Sequence, residues 1–200
     1  MSLAATVMTI GHSNHDLSRF LELLSDHGVS VVIDVRSQPY SRFAQFNQEN
    51  LAGSLGGFGI NYMFLGRELG ARRDEPECYE NDQATYDHVA ELPAFREGLS
   101  KVLNEAESNV VALMCAEREP LDCHRAVLIA RHLEAHGVEV RHILADGAIE
   151  AHKETEKRMV LAMGVDPLFD AGRSPSELIA RAYAERGKQI AYRRQESESE

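Results

Sequence analysis

Two short segments constrain this chain most. Val31-Val32-Ile33-Asp34-Val35 and Val110-Val111-Ala112-Leu113-Met114 are apolar throughout apart from Asp34. A strand that shows one face to water alternates apolar with polar residues. A run without alternation predicts a strand buried on both faces, as in a parallel sheet covered by helices on either side. Segments 7–10, 60–65 and 138–143 read as further strands. Between them, apolar residues recur at helical spacing, as in Leu17, Phe20, Leu21 and Leu24, or Ala126, Ile129, Ala130 and Leu133. The alternation predicts an α/β fold: a mostly parallel sheet flanked by helices, with right-handed crossovers.

Local signals set the expected boundaries. Asp16 reads as an N-cap and Gly28 as a stop for the first helix. A second helix over 49–55 meets the breaker Gly56-Gly57, and Pro93 opens another over 92–106. Asp122 reads as the N-cap of a helix over 123–136 that ends at Gly137. Segment 66–83 reads as a long, charged, irregular loop. From Ala151 the pattern changes to two helical stretches, 152–163 and 175–192, with no further strand. The expected organisation is an α/β domain over 1–150 and a helical appendage over 151–200, whose end, 195–200, reads as a disordered acidic tail.

Charge narrows the partners. Asp and Glu number 32 against 21 Lys and Arg, a formal net charge of −11. Such a surface repels phosphate backbones, so long nucleic acid is not an expected partner, whereas a small anion can still find a local basic pocket. Three cysteines at unrelated spacings, with no secretory signal, predict reduced thiols and a cytoplasmic protein. No apolar run reaches membrane-spanning length, so no membrane partner is expected. The C-terminal helices leave room for a homo-oligomer.

The expected sheet brings polar groups from distant segments to its carboxyl edge, where open α/β sheets bind ligands. The first strand leads to His12 and Ser13, the second to Asp34 and Arg36, and the third, past Tyr62, to Gly66 and Arg67. The fourth leads to Cys115 and Glu117, then to Cys123, His124 and Arg125 at a helix start. A carboxylate inside an apolar strand needs a partner, so Asp34 either pairs with an arginine or acts as a base. Arg125 opposes the helix dipole at that position and suits a planar fork for carboxylate or phosphate, or a salt bridge to Glu117 or Asp34. Cys123 in a first helical turn, or Cys115 at a strand end, is a candidate nucleophile with His124 or His12 as base; either is equally a packing residue. Ser13 caps a helix or contacts a phosphate. Arg67, Arg72 and Arg73 either rim an anionic pocket or solvate their loop. The aromatics of segment 39–46 stack a flat ligand or pack beneath the loop. A metal is not expected, because the seven-residue gap between thiols lacks a zinc-knuckle spacing and adjacent Cys-His seldom share one ion. No other cofactor is indicated.

Together these residues resemble the domain-of-unknown-function 488 family. The matching pieces are Thr9-Ile10-Gly11-His12-Ser13; Asp34-Val35-Arg36 with Pro39 and Ser41; Tyr62 with Leu65-Gly66; Cys115-Ala116-Glu117 followed by Cys123-His124-Arg125; and His142-Ile143. Where the family shows a double glycine after the leucine, Gly66 is followed here by Arg67. The likeness runs over about residues 7–147 and implies a small, cytosolic, mainly prokaryotic α/β domain without an agreed reaction. The layout also looks like that of rhodanese-type sulfurtransferases, but six residues after Cys115, where cysteine phosphatases carry an arginine, stands Leu121.

Three functional readings follow. One is an enzyme whose Arg36 and Arg125 hold a phosphate, carboxylate or nucleotide-derived substrate while Asp34, Glu117 or His12 moves protons. The second is a cysteine-dependent sulfurtransferase or thiol-redox enzyme. The third is a non-catalytic binding or regulatory module.

Overall fold

A computed structural model describes residues 5–164 and 172–194. In chain order the strands are β1 (Thr6–Gly11), β2 (Val31–Asp34), β3 (Asn61–Phe64), β4 (Tyr79–Glu80), β5 (Gln83–Ala84), β6 (Val111–Cys115), β7 (Glu139–Ile143) and β8 (Ile149–Ala151). The α-helices are α1 (Leu17–Asp26), α2 (Gln48–Gly57), α3 (Gly66–Leu69), α4 (Tyr86–Glu91), α5 (Pro93–Ala106), α6 (Arg131–Ala135), α7 (His152–Ala162) and α8 (Pro175–Ile190). Six strands form one sheet in the order β3-β2-β6-β1-β7-β8. All neighbours are parallel except β8, which runs antiparallel to β7. The expected mostly parallel α/β fold is what the chain adopts.

Alternation within the strands explains burial on both faces. Val32, Ala112, Met114 and Ile10 point to one side, where they pack with Phe20, Leu21 and Leu24 of α1 and Leu51 and Leu55 of α2. Val7, Val31, Ile33, Val111 and Leu113 point to the other, against Phe95, Leu99 and Val102 of α5 and the helix that follows β6. Met159 of α7 and Leu178, Ala182 and Tyr183 of α8 join this second layer.

Several local expectations change. Asp16 stands at the N-cap of α1, but its carboxylate makes no capping hydrogen bond. Gly56-Gly57 does not break α2; both glycines finish it, and the chain turns at Gly59, where φ is +75°. Segment 66–83 is not irregular. It holds α3, a 3-10 turn over Pro76–Cys78, and the hairpin β4–β5, whose Asn81 and Asp82 both take positive φ as a tight primed turn requires. Asp146-Gly147 likewise turns β7 into β8, with Gly147 at φ +97°. Strand β8 runs across the boundary expected at 150/151 and leads directly into α7. The tail expected at 195–200 lies outside the described residues.

A buried chain of hydrogen bonds links the sheet to the C-terminal helices. Arg125 Nε donates to Thr9 Oγ1 at 3.3 Å, and Thr9 Oγ1 lies 2.7 Å from His142 Nδ1. His142 Nε2 lies 2.9 Å from His152 Nδ1, and His152 Nε2 lies 2.7 Å from the Tyr183 hydroxyl. Tyr183 in turn donates to Glu156 at 2.8 Å. Among the described residues, no helix is long and apolar enough to cross a membrane.

Candidate functional site

The segment after β6 differs from the helix that its sequence suggests. Pro120–Asp122 forms a 3-10 turn, capped by the Glu119 carboxylate on the Leu121 N–H. Cys123 is extended (φ −136°, ψ 140°) and lies outside the helix, not in its first turn. Arg125–Ala130 is then π-helical before α6 begins. Cys123 therefore takes the capping position expected of Asp122: its carbonyl accepts from the Ala126 and Val127 N–H groups, and its Sγ receives the Arg125 N–H at 3.4 Å. Asp122 instead pairs with Arg186 of α8. Short π-helical stretches often mark functional sites.

The expected convergence occurs in two adjoining clusters. In the first, Arg36 holds buried Asp34 through two contacts at 2.6 and 2.9 Å. Tyr62 donates to the same carboxylate at 2.8 Å. Arg36 also reaches the Phe46 carbonyl, and it donates to His12 Nε2 at 3.3 Å. His12 stacks on Phe46 with centroids 4.4 Å apart. Burial first, and then the Arg36 charge, lowers its pKa to about 4, so it is a neutral acceptor at neutral pH. Burial and the Asp34 carboxylate push the Tyr62 phenol up.

The second cluster holds the thiols. Cys115 Sγ and Cys123 Sγ each lie 3.8 Å from His124 Nδ1, while His124 Nε2 lies 3.0 Å from the Val35 carbonyl oxygen. Glu117 is exposed as a residue, yet its carboxyl turns inward to accept from Cys115 Sγ at 3.0 Å. The thiols divide the ionisation between them. The hydrogen bond with Cys123, together with burial, pushes Cys115 well up. Burial opposes ionisation of Cys123, but the Cys115 hydrogen bond, the Arg125 charge and His124 bring its thiol well down. His124 rises despite burial because it faces that thiolate. Glu117 rises through burial and the same negative charge. These shifts favour ionisation of Cys123 over Cys115 and a proton on His124.

Cys115, Cys123 and His124 border a cavity of about 280 Å³. Its walls include Arg36, Tyr40, Arg72, Tyr86 and Tyr192, with Glu117 at the sulfurs. Arg125 is fully buried, and its guanidinium donates to Thr9 and to the Glu117 and Arg118 carbonyls. It holds the loop and does not border the cavity, so it offers no fork to a ligand there. Arg36 does border it, with Nε and both terminal nitrogens already bonded to Asp34, His12 and the Phe46 carbonyl. Arg67 is exposed on α3 away from the cavity, and Arg73 is buried against Glu75. Of that trio only Arg72 lines the cavity, packed over the Tyr192 ring at 4.8 Å. Ser13, with φ +50°, borders a neighbouring hollow with Tyr40 and Arg42. Tyr86, Ile190 and Tyr192 were not foreseen at the site. Tyr192 follows a helix distant in sequence, and no local signal marks it.

The three donors Cys115 Sγ, Cys123 Sγ and the His124 imidazole all lie within 4.8 Å of one another. The spacing argument against a metal fails on this point, because the fold closes the gap that the sequence leaves open.

Fold and site define an α/β protein with a thiol–imidazole–carboxyl cluster at the carboxyl edge of a parallel sheet. Over residues 16–132, more than half of its length, the chain matches the family described as "Domain of unknown function DUF488", and it belongs to that family. No curated protein matches the chain, and no solved structure does.

Proposed function

We propose that this protein is a cysteine-dependent enzyme of the sulfurtransferase or thiol-redox kind. Cys123 is its nucleophile, His124 its proton partner and Cys115 its second thiol. The reading rests on one observation: Cys115, Cys123, His124 and Glu117 cluster together and all line one cavity, with the Arg125 N–H on Cys123 Sγ. Nucleophilic catalysis needs a thiolate held beside a proton carrier and open to substrate. Arg36 and Arg72 at the walls favour a small anionic substrate, nucleotide-derived if the rings of Tyr40 and Tyr192 stack on it. The other two readings are less supported. Arg125 is buried away from the cavity, where it holds the Glu117 and Arg118 carbonyls, and His12 serves Arg36 as a neutral acceptor. Cysteines kept as thiols fit a reducing compartment such as the cytoplasm.

The test is alkylation of the native, metal-free chain by iodoacetamide at neutral pH, with modified sites mapped by mass spectrometry. Cys123 should react well ahead of the buried Cys78, and His124→Ala should slow it. A Cys123 that reacts no faster than Cys78 removes the nucleophile and the reading with it.

A further inference from the structure

The thiol cluster has a property that nucleophilic chemistry does not require. Two sulfurs and one imidazole nitrogen surround a common point, each sulfur 3.8 Å from His124 Nδ1. A tetrahedral zinc ion with bonds of about 2.3 Å to sulfur and about 2.0 Å to nitrogen needs a sulfur–nitrogen separation of about 3.5 Å. Both sulfur–nitrogen separations are within a few tenths of an ångström of that value.

The surroundings complete the set. A metal-ligating histidine usually donates its other N–H to a carbonyl or carboxylate, which fixes the ring and frees one lone pair. His124 does this through Nε2 to the Val35 carbonyl at 3.0 Å, which leaves Nδ1 facing the sulfurs. The Arg125 N–H on Cys123 Sγ is a second outer contact. Glu117, whose carboxyl touches Cys115 Sγ at 3.0 Å, is a third outer contact. Two thiolates would neutralise a dication within a pocket whose sulfur-bearing residues are buried.

We propose that Cys115, Cys123 and His124 form a binding site for a thiophilic divalent cation, Zn²⁺ foremost, and that the bound ion silences the nucleophile by taking its thiolate as a ligand. The silencing rests on the cysteine reading above; the capture of the metal does not. Binding forms two metal–sulfur bonds and one metal–nitrogen bond. Any proton on either thiol or on His124 Nδ1 leaves to solvent as the metal takes its place, and no group changes oxidation state. The fourth position faces the cavity, so a chelator or a substrate thiol can reach the ion and withdraw it.

The experiment uses the full chain, stripped with a chelator and titrated with Co²⁺ and then Zn²⁺. One Co²⁺ per chain should bind, with the intense visible bands of a tetrahedral thiolate site. Zn²⁺ should displace it. Zn²⁺ should also slow alkylation of Cys123 by at least about tenfold, reversibly on adding chelator, since the liganded thiolate is no longer the free nucleophile. Cys115→Ser and His124→Ala should each weaken binding. The protection assay on the unmutated chain does not depend on those variants folding. Absence of the tetrahedral bands overturns the site, as does undiminished alkylation with Zn²⁺ bound. A chain that binds Co²⁺ but whose stripped Cys123 is inert keeps the metal site and loses the nucleophile, so the two failures are distinguishable.

Discussion

At the scale of single residues, the buried Arg36 and Arg125 act on the protein itself. Asp34 is fully buried and balances Arg36 through both carboxylate oxygens, and Tyr62 donates to Oδ2 as well. Removing the carboxylate strands a buried guanidinium, which is the costly way to break such a pair. Asp34→Ala should therefore lower the unfolding free energy by about 3–5 kcal/mol, read by urea denaturation. A loss under 1 kcal/mol would mean that water reaches Arg36. Gly11 is a second sensitive point. A Cβ there would overlap the Glu117 carbonyl, which is the acceptor that fixes Arg125. Gly11→Ala should cost roughly 1–3 kcal/mol. It should also slow alkylation of Cys123, because the loop beside the sulfurs must move. An unchanged alkylation rate in a folded variant would separate the loop from the site.

At the scale of elements, the strands were readable because burial on both faces writes itself as uninterrupted Val, Ile and Leu. The hairpins were missed even though Asn81-Asp82 and Asp146-Gly147 are turn signals; their strands are too short to show a period. The capping signal at Asp122 was sound chemistry applied one residue too early, since the cap is the sulfur and carbonyl of Cys123. The members of the site could be named from sequence because strand ends meet at one edge. Their partners could not: nothing local tells that the Glu117 and Arg118 carbonyls turn toward Arg125, or that Tyr192 returns to the cavity from beyond α8. The helices α7 and α8 hold to the body partly through Tyr183, which joins His152 and Glu156. Tyr183→Phe should cost about 1–3 kcal/mol by leaving His152 Nε2 unsatisfied. Amide exchange should quicken in α7 and α8 while β6 stays protected. Uniform quickening would instead mean that these helices unfold with the sheet.

At the scale of the whole molecule, buried neutral histidines set its response to acid. His12 and His152 each fall from 6.5 to about 4, His152 chiefly through burial, and His142 also falls well below its ordinary value. Between pH 6.5 and 4 the unfolded chain takes up protons at these sites and the folded chain does not. Stability therefore declines as pH falls through that window, by up to about 3 kcal/mol for each of His12 and His152, and these groups add no further loss below it. Thermal melts across pH 7 to 4 should show the midpoint dropping, and His152→Gln should flatten the slope. The hydrogen bonds from Arg125 to Glu156 have a further consequence. Tyr183 gives its one hydroxyl proton to Glu156, so His152 must donate from Nε2 and accept at Nδ1. His142 must then donate from Nε2 and accept at Nδ1, and Thr9 must give its proton to His142, keeping a lone pair for Arg125. An arginine cannot accept and a carboxylate cannot donate, so the row has one polarity, like a sentence that parses in only one direction. A substitution in its middle is tolerated only if the newcomer both receives and gives in that same sense.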